Sequence, residues 1–150
     1  MTFHGIFDHT LDAKHRLTLP AKYRAEFANG VVLALAAETD TGGPRSITIW
    51  RPDDYAEFTR SVLAGLNPAS PKARKLQQFY FTGSDRTEPD AANRVMIPAR
   101  LLAYAGIDRD VTVTGAGAYM AIWDRARFGD SFGSLLGEIA DINASLGDTV

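Results

Sequence analysis

Two stretches of this chain share one pattern at one offset. Asp12-Ala13-Lys14-His15-Arg16-Leu17-Thr18-Leu19-Pro20 and Asp90-Ala91-Ala92-Asn93-Arg94-Val95-Met96-Ile97-Pro98 both read D-x-x-x-R-φ-x-φ-P, with φ apolar. Asp12 to Asp90, Arg16 to Arg94 and Pro20 to Pro98 are each 78 positions apart, and Gly5 and Gly83 keep that spacing. Four matched positions in one register within 150 residues mark an internal duplication. The fold has to run one local programme twice, and a duplicated site suits a target that is itself repeated or symmetric.

The programme is readable in each half. Residues 5–11 alternate in part and predict a strand, 12–15 a polar turn, and 16–19 a returning strand of period two. Pro20 stands where a first helical residue is favoured, so a short helix is expected over 21–27, with Asn29-Gly30 as an αL-type stop. Strands are expected at 31–35 and 46–50, around a loop holding Gly42, Gly43 and Pro44. In the second half a short strand precedes Asp90. Then come a strand at 94–97, a helix at 99–104, a stop at Gly106, and strands at 111–114 and 119–123. Ile49-Trp50 and Ile122-Trp123 close the halves in the same way, 73 positions apart, so the second inter-strand loop is shorter.

Helices follow each half. Pro52-Asp53-Asp54 places acidic side chains at a helix start, where they complement the macrodipole, and this helix should reach about Leu63. Ser70-Pro71 opens a second helix carrying Lys72, Arg74 and Lys75. Phe128, Phe132, Leu135, Leu136, Ile139 and Ile142 form a helical stripe, either a cover for the body or a seam to a neighbour.

Composition narrows the function classes. No apolar run approaches the ~18 residues a membrane helix needs. Residues 1–5 lack a basic region and an apolar core, so a soluble cytosolic protein is expected. With no cysteine, disulfides and thiolate metal sites are excluded. The net charge of −2 argues against indiscriminate coating of nucleic acid, but the charge is unevenly placed. Residues 12–24 carry a local +3 with His15 beside it, while 124–150 carry −3. One end can meet a polyanion while the other keeps the protein soluble.

Within D-x-x-x-R, aspartate can accept hydrogen bonds from amides two residues on, and its carboxylate suits the planar guanidinium. The fourth position, His15 or Asn93, should need positive φ, a region in which these residue types are enriched. Such a turn at a hairpin tip presents basic side chains for phosphate contact, or for base edges in a major groove that admits a two-stranded ribbon. The competing reading is a salt-bridged turn with no ligand. Lys14, His15 and Arg16 crowding one loop favour the ligand-binding reading. In the second loop only Arg94 is basic, so the two sites are not equivalent.

At these residues the chain resembles the MraZ family of bacterial transcriptional regulators, encoded at the start of the division and cell-wall gene cluster. The opening Phe3-His4-Gly5, both D-x-x-x-R-φ-x-φ-P runs, the half-endings at Trp50 and Trp123 and the helices after each half carry the resemblance. It covers nearly the whole chain. It implies an α+β fold of two SpoVT-AbrB-like swapped-hairpin halves sharing a β-barrel-like core, with flanking helices. The divisions are 5–52, a helical connector at 53–81, 82–125, and a C-terminal helix at 126–150. It further implies a sequence-specific DNA-binding regulator that assembles into a ring and binds short direct repeats upstream of its own operon through the D-x-x-x-R hairpin loops. Duplex DNA and further copies of the chain are the implied partners, and the location is cytoplasmic and nucleoid-associated. No cofactor, metal, membrane or catalytic residue is expected. Asp12, Lys14 and Arg16 match the first family motif, and Asp90 and Arg94 the second. Lys14, His15, Arg16 and Arg94 are thus the expected DNA-binding residues. Asp12 and Asp90 should orient the loops, because a carboxylate near phosphate is repelled. The family pattern usually has Gly where this chain has His15 and Asn93, a departure that bears on loop conformation and base preference.

Other constellations carry less. His4, Asp8, His9 and Asp12 lie close in sequence, but a strand splits them between its faces and no known ligand spacing is present. Gly115-Ala116-Gly117 reads as a hairpin turn, since Met120 occupies the third fingerprint position. Lys72, Arg74, Lys75 and Arg86 read as solvated charges, and Trp50 and Trp123 as core anchors. Two rival functions remain: an AbrB-like antitoxin, which typically has one motif and a disordered tail, and a ring-forming interaction module without DNA.

Overall fold

Short apolar runs with strand periodicity build the centre of the molecule. The computed structural model describes residues 2–37 and 42–148. Its strands are β1 (Ile6–Thr10), β2 (Arg16–Thr18), β3 (Val31–Leu35), β4 (Ile47–Trp50), β5 (Ser84–Thr87), β6 (Arg94–Met96), β7 (Asp110–Gly115) and β8 (Met120–Asp124). Six of them form an antiparallel sheet in the order β1-β7-β8-β4-β3-β5, and β2 pairs with β6 in a separate ribbon. Exchanging the halves (β1 for β5, β3 for β7, β4 for β8) reverses this order and leaves it unchanged. The duplication therefore appears in space as a pseudo-twofold axis between β4 and β8.

The halves interleave. The first strand of each half pairs inside the other: β1 with β7, and β5 with β3. The α+β class and the swapped halves are those that the resemblance implies. Among the described residues the sheet stays open, with β1 and β5 at its ends, so "barrel-like" fits only loosely. One local expectation is corrected. The strand after each D-x-x-x-R turn does not pair back on the strand before it, because β2 and β6 leave the sheet to pair with each other. Each turn is thus a corner between two sheets rather than the tip of a simple hairpin.

Both faces of the central strands are covered, which is why β3 reads Val-Val-Leu-Ala-Leu without polar alternation. Val31, Leu33, Ile47, Ile49, Val111, Val113, Met120 and Ile122 enter the main core with Leu17, Leu19, Val95 and Ile97. Val32, Ala34 and Trp50 face the other way, against Tyr55 of α1 (Pro52–Leu63). Trp50 stacks on Phe58 and Tyr119 at 4.7 and 4.5 Å between ring centroids, and its Nε1 donates to Thr48 Oγ1. Trp123 plays the corresponding part under α4 (Arg125–Asp148), lying 5.6 Å from Phe128. It is only half-buried, so as a core anchor it is weaker than Trp50.

The short helices follow their punctuation. Ser70 Oγ accepts from the Ala73 amide at the start of α2 (Pro71–Gln77), and α3 (Ala99–Ala105) ends on Gly106 at φ +66. Its first-half counterpart, Ala21–Phe27, is a 3₁₀ helix with no side-chain cap, held by turns such as Tyr23 N to Pro20 O. Gly30 after it has φ +116, a wider angle than an αL stop. A wide turn at Gln78–Thr82 ends α2, which the apolar pattern did not announce. Gly83 follows it packed so closely on the Phe79 carbonyl that a Cβ would collide. Gly5, its partner in the duplication, needs φ +98 instead, so the two matched glycines serve different constraints.

Residues 133–147 of α4 are exposed, Leu135, Leu136, Ile139, Ile142 and Leu146 among them. The last two residues of the expected 126–150 helix, and 38–41 of the first inter-strand loop, lie outside the described residues.

Candidate nucleic-acid interface

Each D-x-x-x-R corner is built by one carboxylate. Asp12 Oδ1 accepts the backbone N–H groups of Lys14 and Arg16, both at 2.9 Å. Its Oδ2 accepts Arg16 Nε at 2.7 Å. The backbone closes the same loop, His15 N–H donating to Asp12 O and Asp12 N–H to Arg16 O. The second corner repeats the first. Asp90 Oδ1 accepts from Ala92 and Arg94 N–H, and Oδ2 from Arg94 Nε at 2.9 Å. His15 and Asn93 sit at φ +57 and +60, the left-handed conformation that lets four residues reverse direction. Asn93 is buried and its Nδ2 donates to Leu19 O, so its side chain braces the opposite strand while that of His15 is exposed.

These hydrogen bonds act on the ionised carboxylates. The Arg16 backbone N–H, then the Arg16 side chain and the Lys14 N–H, lower the Asp12 carboxyl to about 2 from an ordinary 3.8, outweighing a desolvation that acts in the opposite direction. The Arg94 backbone N–H lowers the Asp90 carboxyl in the same direction. Both aspartates therefore stay charged at any physiological pH.

The ribbon register brings the corners together. Arg16 lies opposite Met96, Leu17 opposite Val95, and Thr18 opposite Arg94. Leu19 N–H donates to Asn93 O and Ile97 N–H to His15 O, extending the ladder at both ends. The motif then forms a crossed square of charge. Arg16 Nη1 is 3.9 Å from Asp90 Oδ2, and Arg94 Nη1 is 4.0 Å from Asp12 Oδ2. These diagonals exceed hydrogen-bond distance. Each guanidinium is thus anchored through Nε. Its terminal nitrogens make no hydrogen bond to the protein among the described residues, and paired terminal N–H groups are suited to phosphate oxygens or to guanine O6 and N7.

Alternation separates the ribbon's two faces. Leu17 and Val95 are fully buried beneath it, while Arg16, Thr18, Arg94 and Met96 share the outer face. Lys14 and His15 are exposed on the first corner, and among the described residues neither side chain holds a hydrogen bond or ion pair. The structure thus places Arg16 and Arg94 on one ribbon face, each paired with its own aspartate, and Lys14 and His15 on the adjoining first corner. Thr18 and Met96 join that face and were not picked out from sequence, although the x of R-φ-x must follow arginine onto its side.

The remaining candidates disperse. Asp8 Oδ1 accepts from Thr112 Oγ1 at 2.8 Å and lies 3.8 Å from Arg125 Nε, whereas Asp12 belongs to the corner. Lys72, Arg74 and Lys75 are exposed on α2, and Arg86 Nη2 donates to Asn29 O. Gly115-Ala116-Gly117 is part of the β7–β8 turn, as expected, with Ala116 N–H donating to Tyr119 O. No helix of the described residues is long and apolar enough to cross a membrane.

Comparison with known proteins gives one result throughout. A family model described as "MraZ protein, putative antitoxin-like" matches residues 2–79 and again 80–138. The chain is 38% identical over 125 residues to "Transcriptional regulator MraZ" of Kocuria rhizophila, covering 83% of this chain and 82% of that protein. It is 38% identical over 122 residues to the protein of the same name from Micrococcus luteus, covering 81% and 80%. A third, from Thermobifida fusca, is 36% identical over 129 residues, 85% of each chain.

Proposed function

The chain belongs to the MraZ family, and on that premise we propose that it is a sequence-specific DNA-binding transcriptional regulator. The observation that carries the reading is the crossed square on the β2–β6 ribbon, where Arg16 and Arg94 are held through Nε by Asp12 and Asp90 and their terminal nitrogens make no hydrogen bond among the described residues. Arg16 and Arg94 contact base edges or phosphates, Lys14 and His15 add contacts from the first corner, and the two aspartates orient the arginines. Anchoring Nε in advance removes rotamer freedom that binding would otherwise have to remove, which favours a specific contact over a diffuse one.

The target is a set of short direct repeats upstream of the protein's own division and cell-wall operon, bound in the cytoplasm at the nucleoid. Several copies act together as a ring, which compensates for the net acidity because linked weak sites gain effective concentration. The exposed apolar run of α4 supports assembly, since an isolated chain gains nothing by holding it in water. The functional units follow the duplication, with halves at 5–52 and 82–125, a connector at 53–81 and the C-terminal helix at 126–150.

The test is a binding titration against duplex DNA from upstream of the gene, with shuffled duplex as competitor, at two salt concentrations. Selective binding that weakens with salt supports the reading. Equal or absent binding to both duplexes overturns it and leaves a ring-forming interaction module.

A further inference from the structure

The outer face of the ribbon is symmetric in its cations and asymmetric between them. The pseudo-twofold that exchanges Arg16 with Arg94 also exchanges Thr18 with Met96, again 78 positions apart. Met96 is 62% exposed and lies directly across the ribbon from Arg16, while Thr18 lies across from Arg94. The counterpart position therefore accepts a small polar residue, and nothing about the strand itself demands a thioether there. A long, unbranched, polarizable side chain is held in water beside two guanidiniums whose terminal nitrogens make no hydrogen bond among the described residues.

A two-stranded ribbon fits the major groove, where guanine offers two acceptors and thymine offers a C5-methyl group, the one apolar feature of the base edges. We propose that Met96 reads a thymine C5-methyl next to the group held by Arg16, and that the Met96–Thr18 difference gives each ribbon a direction along the duplex. This rests on the DNA-binding reading above and names the base feature recognised by that same site. Methionine suits the role because it is longer than threonine and adapts its shape to the methyl it meets. A ribbon identical under its twofold would read a palindrome, whereas one carrying threonine on one side and methionine on the other reads a half-site with polarity. At the next matched position the first corner has Lys14 where the second has Ala92, which adds to that polarity.

The test uses the full-length protein and two synthetic versions of the upstream duplex, one with thymine and one with every thymine of the bound segment replaced by deoxyuridine. That exchange removes only the C5-methyl groups. The wild type is expected to lose affinity about fourfold for each methyl contacted. Met96→Thr should bind the two duplexes within twofold of each other, and Met96→Leu should keep most of the discrimination. Both substitutions are surface exchanges that leave the buried Val95 and Leu17 in place. A wild type indifferent to deoxyuridine, or a Met96→Thr variant as sensitive as the wild type, overturns the assignment while leaving DNA binding intact. Failure of the wild type to prefer the upstream duplex over shuffled DNA overturns the regulator reading and this inference together.

Discussion

Asp12 holds Arg16 at both ends: Oδ1 takes the backbone N–H at 2.9 Å and Oδ2 takes the side-chain Nε at 2.7 Å. One carboxylate therefore fixes both where the arginine leaves the chain and where its guanidinium points. Removing it should disturb recognition more than it disturbs the fold. Asp12→Asn keeps an acceptor for the two amides but loses the charged contact to Nε, while Asp12→Ala loses both. DNA affinity, measured by fluorescence anisotropy, is expected to fall in the order wild type, Asp12→Asn, Asp12→Ala. Equal affinities in all three would show that the carboxylate does not position Arg16 for binding.

The same carboxyl gives a pH signature. Its folded value of about 2, against an ordinary 3.8, means that the ionised form favours the folded state. That contribution is complete above about pH 4 and is lost as pH falls towards 2. Asp90, lowered in the same direction, adds to it. Thermal unfolding between pH 4 and 2, followed by circular dichroism, should show a shallower loss of stability in Asp12→Asn than in the wild type.

The left-handed residues at the two corners differ in how they tolerate glycine. His15→Gly removes an exposed side chain from φ +57, relieving roughly 1–2 kcal/mol of steric cost against about 0.5–1 kcal/mol of added chain freedom. Its stability should stay within about 1 kcal/mol of the wild type. Asn93→Gly also gives up the buried hydrogen bond to Leu19 O, worth roughly 0.5–1.5 kcal/mol. Chemical denaturation should rank Asn93→Gly as the less stable of the two.

Leu17 is fully buried beneath Arg16 and Thr18 and ties the ribbon to the main core. Leu17→Ala should destabilise by roughly 2–5 kcal/mol through the cavity it leaves. Because the halves interleave, unfolding should remain a single transition. Two separate transitions would contradict the shared core.

Lys14 is exposed on the first corner. As a phosphate contact it should act through charge alone. Lys14→Ala is expected to weaken binding to specific and shuffled duplexes alike and to lower the slope of log affinity against log salt by about 1. A change in sequence preference with an unchanged slope would move Lys14 from phosphate to base.

Much of this architecture was written locally in the chain. The corners were legible because aspartate, a left-handed His or Asn, and arginine have few ways to fit together over five residues. The starts of α1 and α2 were legible because Pro52 and Ser70-Pro71 fix them. The pairing of β1 with β7 and of β2 with β6 was not, since strands about a hundred and about eighty residues apart leave no local trace of each other. That long-range choice turned an expected hairpin into a corner. Thr18 and Met96 escaped notice for a related reason: their place beside the arginines follows from alternation, but their neighbours across the ribbon follow only from register. Trp50 and Trp123 looked equivalent in sequence, yet α1 covers the first with Tyr55 and Phe58 while α4 offers the second mainly Phe128.

The most direct measurement compares wild type, Arg16→Ala and Arg94→Ala for affinity towards the upstream duplex and its shuffled control under one salt condition. Each arginine variant is expected to lose roughly 1–3 kcal/mol of specific binding and to discriminate less between the duplexes, with circular dichroism unchanged. Full affinity and full discrimination in both variants would contradict the assignment of the Asp–Arg square as the surface that reads DNA.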